Sequence, residues 1–78
     1  MMKAVVWANT TNRTAPKLTN NGASISSNPS AHRPRNGEKL EDWFEAGWAI
    51  DSVGGIVQRR DVTGHVEEEI TVLVLVHQ

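Results

Sequence analysis

The chain has 78 residues, no cysteine, and a net charge of −1 from 8 Lys+Arg and 9 Asp+Glu. Such a length allows one domain, residues 1–78, and a fold this small is marginal because it buries only roughly 60–65% of its unfolded surface. Without cysteine it has neither a disulfide nor a thiolate zinc site to help, and its balanced charge offers no field to draw in nucleic acid or an anionic membrane. Self-association is the remaining common aid for a small domain.

Residues 3–8 are apolar and partly β-branched, which predicts a first strand. The run is too short for a signal peptide. The apolar stretch Ile70–Val76 covers about a third of a membrane span. A soluble, cytoplasmic protein is therefore expected.

Residues 9–36 are rich in Asn, Thr, Ser, Pro and Gly, with Leu18 and Ile25 the sizeable apolar side chains. Such a stretch cannot bury enough surface to offset its ordering entropy, so a long, partly disordered polar loop is predicted. Asn36 can cap a helix over about residues 37–46, with Leu40, Trp43 and Phe44 forming an apolar stripe and Gly47 ending it in a left-handed conformation. Trp48 should pack back on the stripe.

Trp48–Val57 reads as a strand, interrupted by a bulge at Gly54-Gly55. In it Ile50 and Ile56 share one parity, and Val53 and Val57 the other. Asp61–His65 is a turn, and Val66–His77 is the last strand. Arg59 and Glu67 should pair across this hairpin. The predicted fold is α+β: a small antiparallel three-stranded sheet, last strand central, with one helix on one face, in the order β-loop-α-β-β.

The even residues of the last strand, Val66 to Val76, are almost all apolar and are expected to face the helix. Leu73 and Leu75 then fall on the uncovered face. With Val53 they form the predicted oligomer interface, most simply of a two-fold dimer. Replacing the two leucines with polar residues should then dissociate it.

Residues 40–53, Leu-Glu-Asp-Trp-Phe-Glu-Ala-Gly-Trp-Ala-Ile-Asp-Ser-Val, resemble the signature of a small bacterial and phage family, domain of unknown function 4177. Leu40, Gly47, Trp48, Ile50, Ser52 and Val53 fall on its pattern. Ala46 replaces a common acidic residue, and the chain ends Leu75-Val76-His77-Gln78 where the family often has aromatic and basic residues. The resemblance implies a fold and no activity.

His32, His65 and His77 lack metal-ligand spacing, the carboxylates of Glu67–Glu69 diverge along a strand, and no nucleophile stands beside a base. No enzyme, metal or cofactor is expected. Arg33, Arg35 and Lys39 near the helix start, with the hairpin's Arg59 and Arg60, are the candidate anion-binding residues. Two functions emerge: a non-enzymatic oligomeric binding or adaptor module, and a phage-type sponge or inhibitor holding a nucleotide-like anion between subunits. A protein partner or an anionic small molecule suits either; a membrane or nucleic acid suits neither.

Overall fold

A computed structural model describes residues 2–19, 24–25 and 32–78. The chain runs β1 (Met2–Asn9), β2 (Lys17–Leu18), β3 (Ser24–Ile25), α1 (Leu40–Glu45), β4 (Ala49–Arg60) and β5 (Val66–His77). The fold is α+β, and β5 lies centrally, antiparallel to β1 and to β4. The sheet is wider than three strands, because β2 and β3 both pair with the far edge of β1. The expected disorder within 9–36 falls partly on residues 20–23 and 26–31, which lie outside the described residues. No described helix is long and apolar enough to cross a membrane.

The remainder of that polar stretch is built in. The Asn9 and Asn12 carboxamides accept the amides of Thr11 (3.0 Å) and Thr14 (3.2 Å). Short polar side chains thus satisfy their own backbone in turns. Pro16 and Lys17 then run beside residues 38–40: Leu18 donates to the Glu38 carbonyl and Leu40 to that of Pro16. This pairing holds residue 39 extended, so α1 starts at Leu40 and is capped at Lys39, not Asn36. The Asp42 carboxylate accepts the Lys39 amide at 3.1 Å.

The end of α1 follows expectation. Gly47 has φ 97°, Trp48 donates its amide to the Trp43 carbonyl, and Gly47 donates to that of Phe44. These are the two bonds of a Schellman ending. The Trp43 and Trp48 rings meet edge to face at 5.4 Å. Each indole N–H is satisfied by the preceding segment: Trp43 donates to the Gly37 carbonyl, and Trp48 to that of His32 at 2.9 Å.

The core contains Ala4, Val6 and Ala8 of β1, Leu40, Trp43 and Trp48, and Leu73 and Leu75 of β5. Which face of β5 the helix covers is therefore the reverse of the expectation. Leu73 and Leu75 are buried, opposite Val6 and Ala4, while Ile70, Val72, Val74 and Val76 are half-buried on the uncovered face. Both faces of this strand are apolar at its C-terminal end, so parity alone does not choose between them. The leucines join one buried cluster with Trp43, Trp48, Ala4, Val6 and Ala8, and the valines of β5 are left outside it. Leu73 and Leu75 are thus core residues. Polar replacements there report on folding.

Glycine 47 is required on two grounds. Its φ is left-handed, and a β-carbon would sit 2.8 Å from His77 Nε2. Gly64, in the hairpin turn, has φ 90° but open space around it. The left-handed conformation costs an L-residue about 1–2 kcal/mol. Gly47→Ala should therefore lower stability by more than Gly64→Ala, which carries only that cost, as read by urea or thermal denaturation.

Candidate functional site

The predicted basic residues do not converge within the chain. Arg33 and Arg35 line a cleft of about 300 Å³ with Asn36, Gly37 and Trp43, and the Arg33 guanidinium lies 5.8 Å from the Trp43 ring centre. Lys39 lines a different groove. Arg59 and Arg60 stand at the distal end of β4, about 30 Å along the strand from its start. There Arg59 pairs with Glu67 as expected, and Arg60 donates to the Gly64 carbonyl and the Gln58 carboxamide.

The histidines do come partly together, which their separation in sequence concealed. His32 and His77 stack with centroids 4.5 Å apart, and His77 also meets Trp48 edge to face. His77 Nε2 lies 3.1 Å from the Ala46 carbonyl, at the end of α1. Among the described residues no group of three or more potential ligands could hold a metal ion.

Glu69 is buried on the helix-facing side of β5. It accepts Thr10 Oγ1 at 2.6 Å and Gln58 Nε2 at 2.8 Å, with Arg13 at 3.5 Å. These contacts, the Thr10 hydroxyl first, hold its carboxyl below the usual 4.5 against the opposing effect of desolvation. Asp61 is likewise lowered, chiefly by the Thr63 hydroxyl, within the hairpin turn it organises. Glu69 ties the 10–13 turn to the hairpin, and Asp61 satisfies the turn amides of Thr63 and His65.

The exposed apolar surface has a clear centre in β4. Ile50, Val53 and Ile56 are 48%, 57% and 58% exposed, and Val57 is 67% exposed. The pairing with β5 explains their arrangement. Its register shifts by one residue between Ile50 and Ser52, and again between Val53 and Gly55. Bulges at Asp51 and Gly54 thus place Ile50, Val53 and Ile56 on the same face, that of Leu75, Leu73 and Thr71. The expected separation of Val53 from Ile50 assumed only the second bulge.

Phe44 of α1, expected in the core stripe, is 42% exposed beside this row. Phe44, Ile50, Leu40, Pro16, Lys39 and Glu41 help line a groove of about 440 Å³. Among the described residues no strand pairs with the outer edge of β4. Each of these half-exposed side chains would gain about half of the roughly 1.5–3 kcal/mol of full burial if covered. Val53 is the member of the predicted interface that stays exposed.

No family model, curated protein or solved structure matches the chain. The likeness of residues 40–53 to domain of unknown function 4177 rests on the sequence pattern alone.

The lowered Glu69 and Asp61 carboxyls set an acid sensitivity. A group depressed in the folded state stabilises above its unfolded value, and that stability is lost as pH falls through the folded value. The melting temperature should thus fall as pH drops below about 4.5. Glu69→Gln should melt lower at neutral pH and lose less on acidification, measured by thermal denaturation at pH 7 and pH 3.

Proposed function

We propose that the protein is a small non-enzymatic module that works as a homo-oligomer, with β4 as its assembly surface. The observation that carries this reading is the coincidence, on one strand, of an open backbone edge and the exposed Ile50, Val53, Ile56 and Val57. An open edge presents unpaired amides and carbonyls, and an apolar row beside it gives association a driving force. The interface thus moves from the sheet's flat face, where Leu73 and Leu75 were expected, to its edge. Val53 belongs to both descriptions. An adaptor role would use the Arg33–Arg35 cleft, on a different part of the surface from the groove at Ile50, as the contact for a partner.

The second reading, retention of a nucleotide-like anion, draws on that cleft. Arg33 and Arg35 line it together with Asn36, Gly37 and Glu38, so an anion there would meet two guanidinium groups against one carboxylate.

Native mass spectrometry tests the first reading. The wild-type chain should appear as a multimer, and Val53→Asp with Ile56→Asp should run as a monomer with an unchanged far-ultraviolet spectrum. A monomeric wild type at micromolar concentration would rule it out. For the second reading, ADP should raise the melting temperature of the wild-type protein, and Arg33→Ala with Arg35→Ala should remove that increase.

A further inference from the structure

We infer that the occupant of the β4 edge is a second copy of this chain, paired antiparallel about a two-fold axis through Val53. The inference rests on the assembly reading above and adds the register. In an antiparallel two-fold pair, residue numbers facing each other have a constant sum, here 106. Val53 then meets its own copy, Ile50 meets Ile56, and Ala49 meets Val57. Face agreement is the stringent condition, because a slip of one residue would turn every side chain to the wrong side. The condition is met. Ile50, Val53 and Ile56 lie on the helix side, opposite Leu75, Leu73 and Thr71, while Ala49 and Val57 lie on the other side, opposite Val76 and Ile70. The bulges at Asp51 and Gly54 produce this agreement, since each falls between two members of the Ile50–Val53–Ile56 row.

On the other side of the sheet, β1 is paired with the two-residue strands β2 and β3. A two-fold pairing uses the β4 edge of both copies and so closes the assembly at two.

The chain contains no cysteine, so introduced thiols report contacts without background. Residues facing each other across an antiparallel pair have Cα atoms about 4.5–5.5 Å apart, within the range a disulfide spans. Val53→Cys is oxidised in the folded state and read on a non-reducing gel. It should convert almost fully to a species of twice the mass. Ile56→Cys alone should stay monomeric on the gel, and an equimolar mixture of Ile50→Cys and Ile56→Cys should yield the cross-linked heterodimer. Val74→Cys, on the uncovered face, should not cross-link. Cross-linking through Val74→Cys instead of Val53→Cys would overturn the inference while keeping a self-assembling protein. So would a native dimer in which neither thiol couples. A monomer by native mass would overturn both readings together.

Discussion

A helix of six residues is about 9 Å long, and strands of 12 residues extend about 40 Å. The single helix can therefore cover only part of one side of its sheet. It is anchored by the turn at Gly47, which places Trp43 and Trp48 edge to face and presses both against the β1 and β5 side chains. The covered area is small and filled by tryptophan, leucine and small residues. The rest of the sheet has to be dealt with in other ways.

Two solutions are visible on the helix side. Toward the hairpin, β5 continues with Thr71 and Glu69, beyond the tryptophans. There the Thr10–Arg13 turn folds over the strand, and its hydroxyl and guanidinium groups join the Gln58 carboxamide of β4 around the buried carboxylate. A buried charge is tolerable only when it is paired and hydrogen-bonded in this way. Along β4, Ile50, Val53 and Ile56 stay exposed beside an open edge. The first solution stabilises the fold within one chain, and the second leaves a surface that a further chain can cover.

The two bulges connect local backbone geometry to this surface. Without them Ile50 and Ile56 would lie on the face opposite Val53, and the apolar row would be divided between the two sides of the sheet. Gly54 and Gly55 permit one irregularity, since Gly54 passes close to Val72 and a β-carbon there would sit 3.3 Å from its side chain. At Asp51, the side chain of the inserted residue is engaged by Lys3 across the uncovered face at 3.6 Å.

Local chemistry made much of the architecture legible in the sequence. The Leu40, Trp43 and Phe44 stripe, the Gly47-Trp48 ending, the Asp61–Gly64 turn and the long apolar run of β5 each carry a short-range signal, and each forms where that signal places it except at Phe44, which stays exposed. A hidden choice remained wherever the signal was symmetric. β5 is apolar on both faces, so only the docking of α1 decided that Leu73 and Leu75 go inside. The polar 10–19 segment shows no hydrophobic period, and its order comes largely from partners remote in the chain, Glu69 and the 38–40 segment. The His32–His77 stack and the Ile50–Val53–Ile56 row likewise depend on chain crossings and pairing register. Sequence by itself determined β1, the end of α1, β4, the hairpin turn and β5, because turns and caps are contacts among near neighbours, whereas β2, β3 and the start of α1 depend on partners distant in the chain. Tertiary structure decided which faces are inside and which stay open, because that depends on lengths and shapes of elements that meet only after folding.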